Sequence, residues 1–237
     1  MIELACPGRP TLAVGKIVAV GRNYADHVRE MGGAPAAGVE PILFLKPPSA
    51  LVLGAGSQGR CEVELPSFSA QVHHEVELVV RVGRPLRRAD ASAALAAIDA
   101  IAVGLDLTAR DLQSRARERG EPWSVAKGFD GSAPLSPLVA LEPKDAKDAA
   151  ARLAELEVAL AVNGASRQRG RVPDMTTPVP QLLAFVSSRF RLEPGDLVFT
   201  GTPAGVGPVV AGDVAVAELR AKAAVLARLE VNFSASA

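Results

Sequence analysis

The chain has 237 residues, 49% of them apolar and 22% charged, with 26 basic and 26 acidic side chains that cancel to a formal net charge of zero. That length and apolar content bury a sizeable core without staples. The charge balance, with no basic tract, excludes the electrostatic footprint of a nucleic-acid binder. Cys6 and Cys61 are the two cysteines, which argues against a disulfide framework or a structural zinc site and fits a reducing cytoplasm. The N-terminus lacks the charged start and apolar core of a signal peptide, and no apolar run is long enough for a membrane span. The expectation is a cytoplasmic, single domain over residues 1–237, with 1–15 as a short N-terminal extension.

Residues 16–21 read as a short buried strand ending at a glycine. Residues 23–31 have helical composition and stop at Gly32 and Gly33, followed by an alanine-, proline- and glycine-rich stretch; about 23–40 is therefore a candidate mobile lid. Residues 42–46 form a second apolar strand, closed by Pro47 and Pro48. Residues 74–82 give a clear strand. Val76, Leu78, Val80 and Val82 face one way, and Glu75, Glu77 and Val79 the other, by the period of two.

Residues 90–97 predict an alanine-rich helix capped by Asp90 or Ser92. Residues 98–107 are apolar except for Asp99 and Asp106, and 108–118 are helical in composition. A strand at 156–162 turns at Asn163 and Gly164, a hairpin signal. An amphipathic helix at 179–190, a turn feeding a strand at 192–200, a glycine-proline loop at 200–208 and strands at 214–219 and 224–231 complete the chain. Many strands, few long helices and no internal repeat point to one domain of mixed β architecture.

Glu75 and Glu77 project from the same face of an apolar strand, where two like charges repel strongly. Burying them is expensive unless a cation compensates, and a hard divalent ion is the simplest remedy; a solvated strand face carrying two glutamates is the alternative. Asp106 is a third carboxylate in an apolar run. It reads either as the N-cap of the helix near Thr108 or, with the two glutamates, as part of an all-oxygen site suited to Mg²⁺ or Mn²⁺.

His27 and Glu30 are three apart on a helix, so the glutamate can orient the histidine as a general base; the alternative is a solvated polar helix. Lys127 lies in a glycine-punctuated stretch. Arg110 and Gln113 follow Asp106 closely enough to reach a carboxylate from the same wall. Thr202 sits in a Thr-Gly-Thr-Pro loop that either binds an anion, through hydroxyl or backbone N–H, or is a plain turn.

The motifs form a recognisable set. They comprise 21–31 (Gly-Arg-Asn-Tyr-Ala-Asp-His-Val-Arg-Glu-Met), 41–47 (Pro-Ile-Leu-Phe-Leu-Lys-Pro), 73–78 (His-His-Glu-Val-Glu-Leu) and 105–113 (Leu-Asp-Leu-Thr-Ala-Arg-Asp-Leu-Gln). They continue with 123–130 (Trp-Ser-Val-Ala-Lys-Gly-Phe-Asp) and 195–208 (Gly-Asp-Leu-Val-Phe-Thr-Gly-Thr-Pro-Ala-Gly-Val-Gly-Pro). In this order they resemble the fumarylacetoacetate hydrolase family, in particular its short branch of acylpyruvate hydrolases and oxaloacetate decarboxylases.

The resemblance implies an α+β fold, a mixed β-sandwich roll with a short lid helix, assembled as a homodimer. It implies Glu75, Glu77 and Asp106 as ligands for Mg²⁺ or Mn²⁺, His27 and Glu30 as a water-activating dyad, and Lys127 facing the reacting group. Arg110, Gln113 and Thr202 fall around the oxo-acid end of a small 2-oxo acid. The implied reaction is hydrolysis of a carbon–carbon bond in acylpyruvates such as fumarylpyruvate or acetylpyruvate, with oxaloacetate decarboxylation by the same enolate. Rival readings are an isomerase or decarboxylase of 2-oxo acids from aromatic degradation, and a non-catalytic 2-oxo acid binding protein.

Overall fold

The computed structural model describes residues 2–33, 40–142 and 145–236; six of the lid candidates, 34–39, lie outside them. The chain opens with a hairpin of β1 (Glu3–Cys6) and β2 (Arg9–Ala13), then β3 (Ile17–Gly21), α1 (Ala25–Glu30), β4 (Ile42–Lys46), β5 (Leu51–Leu53) and β6 (Arg60–Glu64). The central segment holds β7 (Val72–His74), β8 (Val76–Val82), α2 (Ala91–Ala96), β9 (Ile98–Leu105), β10 (Thr108–Ala109), α3 (Arg110–Arg119) and α4 (Ser124–Lys127). Next come β11 (Ala133–Leu135), β12 (Val139–Ala140), α5 (Ala146–Ala154), β13 (Leu156–Val162) and β14 (Ala165–Arg171). The last elements are α6 (Val179–Arg189), β15 (Leu197–Phe199), β16 (Gly207–Val209), β17 (Val214–Ala221) and β18 (Ala224–Ser234).

Two large sheets form a mixed β-sandwich roll. One runs β4-β3-β15-β8-β9-β11-β5, with β12 also on β9; the other runs β14-β13-β17-β18-β6. The main core lies between them and under the helices: Val76, Leu78, Val80 and Val82 from β8 meet Val158 and Leu160 from β13 and Ala217 and Leu219 from β17. The opposite face of β8 sends Val79 into a second core with Ile17, Ala19, Leu197 and Phe199. There the β1–β2 hairpin, within the short N-terminal extension, contributes Leu4 and Cys6. Both faces of β8 are buried, which explains its near-continuous apolar composition. No helix among the described residues is long and apolar enough to cross a membrane.

Local chemistry sets the boundaries. The Asp90 side chain caps α2 by accepting the Ala93 N–H at 2.8 Å. Asn163 and Gly164 take φ of 52° and 78°, the doubly positive pair of a type I′ hairpin turn. One expected strand is interrupted: residues 72–74 pair with β10 and β16 in a separate three-stranded sheet, and Glu75 stands at the break before β8.

Candidate metal centre and active-site cleft

Antiparallel pairing of β8 with β9 sets Val76 opposite Leu105 and Glu77 opposite Gly104. One step further out, the Asp106 N–H donates to the Glu75 carbonyl at 2.9 Å, so Glu75 and Asp106 face each other across the end of the ladder. Glu77 shares the Glu75 face by the period of two. One carboxylate oxygen from each of the three converges within 4.8 Å of the others, and all three side chains are buried. Asp106 is not a helix cap, because the N-cap position of α3 is Ala109.

Cations surround this triad. Lys127, at the end of α4, donates to Glu75 Oε2 at 2.8 Å and to Asp106 Oδ2 at 2.6 Å. Arg110, the first residue of α3, pairs with Glu75 Oε1 and donates to Gln113 Oε1 at 2.6 Å. Thr108 Oγ1 donates to Glu75 Oε1 at 3.1 Å. Lys46, fully buried at the end of β4, places its ammonium 2.8 Å from Asp106 Oδ1 and donates to the Ser132 carbonyl at 2.9 Å and to the Lys127 carbonyl.

These neighbours divide the three acids. Burial pushes Glu75 up, but the charges of Lys127 and Arg110 outweigh it and hold the carboxyl below the usual range. Glu77 receives the Gly201 N–H at 2.7 Å and, among the described residues, no ion pair; burial first, then the charges of Asp106 and Glu75, push it well above the ordinary value. Burial opposes the charge on Lys127, yet Asp106 and Glu75 keep its pKa above that of a free lysine. For Lys46 burial wins over the attraction of Asp106, and its pKa falls.

A divalent cation fits this donor set. Three hard carboxylates converge; among the described residues Glu77 forms no ion pair, and Asp106 Oδ1 is buried without a hydrogen bond because Lys46 approaches outside hydrogen-bond geometry. An all-oxygen set of this kind suits Mg²⁺ or Mn²⁺.

The dyad stands across the same cleft. His27 is buried despite the polar sequence of α1, and its Nδ1 lies 3.2 Å from Glu30 Oε2. The Gly205 N–H donates to the other Glu30 oxygen at 3.0 Å, tying the glutamate to the glycine-proline loop. An ionised carboxylate can only accept, so Nδ1 carries the proton and Nε2 is left as the basic nitrogen. A cleft of about 40 Å³ brings together His27, Glu75, Glu77, Arg110, Gln113, Lys127 and Thr202, with Asp106 behind Lys127 and Glu30 behind His27.

Thr202 differs from its expected part in one respect. Its hydroxyl proton goes to the Val76 carbonyl at 2.9 Å, and its oxygen accepts from Gln168 Nε2 at 2.8 Å. The hydroxyl proton is therefore not available to an anion at this loop. Gly201 takes φ of 100° beside it, and a Cβ there would lie 2.6 Å from that of Asn23, so only glycine brings its own N–H onto Glu77.

Lys46 and Gln168 escaped sequence reasoning. Lys46 looks like the polar end of an apolar strand, and Gln168 sits in a polar strand on the other sheet. Gln168 nevertheless accepts the Val76 N–H at 3.0 Å and contacts His74 Nδ1 at 2.9 Å, joining β14 to the start of β8. A lysine closing an otherwise apolar strand was the one available signal for Lys46.

Comparison with known proteins agrees with this geometry. The family model described as fumarylacetoacetate (FAA) hydrolase C-terminal matches residues 16–231. The chain is 42% identical over 200 residues to the mitochondrial oxaloacetate decarboxylase of Dictyostelium discoideum, covering 84% of this chain and 86% of that protein. It is likewise 42% identical over 200 residues to oxaloacetate tautomerase YcgM of Escherichia coli, with the same coverage of 84% and 86%. The crystal structure of fumarylpyruvate hydrolase from Pseudomonas aeruginosa in complex with Mn²⁺ and pyruvate matches with a TM-score of 0.87 at 36% identity, covering 99% of this chain and 96% of that one. With its motifs, fold and convergent acids in agreement, the chain belongs to the fumarylacetoacetate hydrolase family.

Proposed function

We propose that this protein is a divalent-metal-dependent hydrolase of short acylpyruvates. The observation that carries the reading is the placement of an oriented base, His27 held by Glu30, in the same narrow cleft as three convergent carboxylates. Glu75, Glu77 and Asp106 would hold Mg²⁺ or Mn²⁺, which supplies Lewis acidity toward the 2-oxo oxygen of the substrate.

The protein's own groups account for the remaining chemistry. Arg110 and Gln113 present donors from one helix face to the substrate carboxylate. His27 Nε2 takes a proton from water while the water oxygen bonds to the C4 carbonyl carbon, and Lys127 offsets the developing negative charge. The C3–C4 bond then breaks and its electron pair stays on C3. Protonation of C3 by His27 gives pyruvate, and the acyl part leaves as a carboxylic acid. One water is consumed and the base is restored.

A second reading is chemistry on oxaloacetate, favoured by the 42% identity to a protein named oxaloacetate decarboxylase and another named oxaloacetate tautomerase. Decarboxylation leaves the same electron pair on C3 as CO₂ departs. Tautomerisation needs only a proton moved between C3 and the 2-oxo oxygen. Following the 1,3-diketone absorbance of acetylpyruvate and fumarylpyruvate, beside oxaloacetate decay, separates the reactions. Activity that survives thorough chelation removes the metal from the proposal. Turnover of oxaloacetate alone removes the hydrolysis.

We propose further that the chain works in the cytoplasm as a homodimer. The two free thiols, Cys6 and Cys61, suit a reducing compartment, and the exposed Phe68 and Val125 line a shared groove able to meet a second copy. A monomeric mass by light scattering at micromolar concentration removes the dimer.

A further inference from the structure

We infer that Gln168 is a positioning residue for the metal centre: its amide stands in for a missing strand at Val76, between Glu75 and Glu77. This rests on the metal-dependent reading above and deepens it, naming a group outside the cleft that keeps those two glutamates in place.

β15 pairs with β8 in antiparallel register, with Leu197 opposite Arg81, Val198 opposite Val80 and Phe199 opposite Val79. Thr200 continues the ladder by giving its N–H to the Leu78 carbonyl at 3.1 Å. The same register carried on would set the backbone of Thr202 opposite Val76. The chain leaves the ladder instead at Gly201, whose φ of 100° turns its N–H onto Glu77. Val76 thereby loses its strand partner at the position that both glutamates flank.

Side chains replace that partner. The Val76 N–H donates to Gln168 Oε1 at 3.0 Å, and the Val76 carbonyl accepts from Thr202 Oγ1 at 2.9 Å. Gln168 Nε2 donates to Thr202 Oγ1 and to the Pro203 carbonyl, both at 2.8 Å, while Oε1 also accepts from His74 Nδ1 at 2.9 Å. The glutamine is 1% exposed, and each end of its amide makes two bonds. Because the Val76 N–H needs an oxygen and the Pro203 carbonyl needs a donor, one orientation of the amide satisfies both.

β14 delivers this glutamine through a bulge. Leu160 of β13 faces Gln168 but Ala161 faces Ser166, so Arg167 is an extra residue on β14. Bulges re-aim side chains, and Gln168 is buried between the exposed Arg167 and Arg169. The glycine-proline loop rests on the same strand. A Cβ on Gly205 would lie 2.0 Å from the Arg167 carbonyl oxygen, and one on Gly170 would lie 2.6 Å from Pro203 Cβ. That loop gives the Gly201 N–H to Glu77 and the Gly205 N–H to Glu30. Gln168 therefore holds both the strand end that carries the two glutamates and the loop that braces Glu77 and the dyad. Without it, buried backbone groups at Val76 lack partners, and the simplest repair is for residues 200–203 to zip onto the ladder. Such a repair pulls the Gly201 N–H off Glu77.

The test measures Mn²⁺ affinity by equilibrium dialysis beside the thermal midpoint in EDTA. Gln168→Met keeps length and removes all four bonds, and its Kd for Mn²⁺ should rise about tenfold to a hundredfold, the usual loss when a group behind metal ligands is removed. Thr202→Val removes the other half of the replacement and should also raise the Kd. The double variant should lose little more than the weaker-binding single variant, because the two side chains act on Val76 as one unit. Leu219→Ala opens a cavity in the core of the same sheet, so it should lower the midpoint without changing Mn²⁺ affinity. Arg171→Met, exposed on β14, should change neither.

An unchanged Kd in Gln168→Met overturns the inference, and so does a loss of affinity that Leu219→Ala reproduces. Fully additive losses in the double variant overturn it too, since two independent contacts are not one replaced strand. Should Gln168→Met fail to fold, an unchanged Kd in Thr202→Val has the same force. If the wild type holds no Mn²⁺, the metal reading falls and this inference with it. If the variants weaken Mn²⁺ as expected while acetylpyruvate, fumarylpyruvate and oxaloacetate are all left intact by the wild type, the proposed function fails and the role of Gln168 stands.

Discussion

The β8–β9 ladder buries charge at both ends, and the two ends solve the problem differently. At one, Arg81 makes a bidentate pair with Asp99, Nε to Oδ1 and Nη2 to Oδ2, both at 2.9 Å, while its Nη1 reaches the Leu4 carbonyl at 3.0 Å. One cation meets one anion, and the leftover donor ties down the N-terminal hairpin. At the other end, three carboxylates converge; Lys127, Arg110 and Lys46 lie against Glu75 and Asp106, and among the described residues Glu77 forms no ion pair. Burial of charge is therefore not what marks the candidate site in this molecule. The mark is an uneven pairing, in which one buried acid lacks a cation that a dication would supply.

The largest expected effect comes from breaking the second end. Asp106→Asn keeps shape and removes charge, and it should lower turnover of acetylpyruvate at least about a thousandfold by removing a ligand of the Lewis acid. It should also abolish Mn²⁺ retention in equilibrium dialysis. If Asp106→Asn turns over substrate like wild type, the two ends are equivalent and the triad is only a structural cluster.

Next is His27→Ala, expected to slow acylpyruvate hydrolysis by about 10²–10⁴-fold, the usual worth of a positioned base. Oxaloacetate decarboxylation, which needs no water attack, should fall far less; equal losses in the two assays would give the dyad another duty. Arg81→Met tests the opposite end. It leaves Asp99 largely buried without its partner, at a cost of about 3 kcal/mol, or a thermal midpoint lowered by about 10 °C in a chain of this size. Its kcat at room temperature should stay close to wild type. A collapse of kcat without loss of stability would make Arg81 part of the active site.

Much of this contrast was legible in the sequence because alternation is a strong signal. The faces of β8, the Asp90 cap, the Asn163–Gly164 turn and the trio Glu75, Glu77 and Asp106 all follow from spacing and neighbouring residue types. What stayed hidden depends on contacts far apart in the chain. Lys46 meets Asp106 across 60 positions, and Gln168 reaches Val76 from the opposite sheet. Arg81 and Asp99 each look like ordinary strand charges until the register brings them together. Pattern also misjudged His27, whose polar helix reads as solvated although tertiary packing buries it.

The smallest expected effect, and the most direct probe of the imbalance, is the pH dependence of the metal-free protein. Glu77 has a folded-state pKa raised above 4.5 by burial and by Asp106 and Glu75. The folded chain therefore binds this proton more tightly than the unfolded chain. The associated stability is fully present below pH 4.5 and is lost as pH rises through the folded value. Glu75 has the opposite sign: its pKa is depressed, so its contribution is present above pH 4.5 and is lost on acidification through the folded value. Glu77→Gln removes only the first effect. In EDTA its thermal midpoint should exceed wild type at pH 8, and the gap should shrink toward pH 5. Excess Mn²⁺ should reverse the order, since a ligand held at a hundredfold over its Kd adds about 2.7 kcal/mol to the protein that binds it. Parallel pH curves for the two proteins in EDTA would mean that Glu77 is already compensated within the fold, and the contrast between the two ends of the ladder would lose its basis.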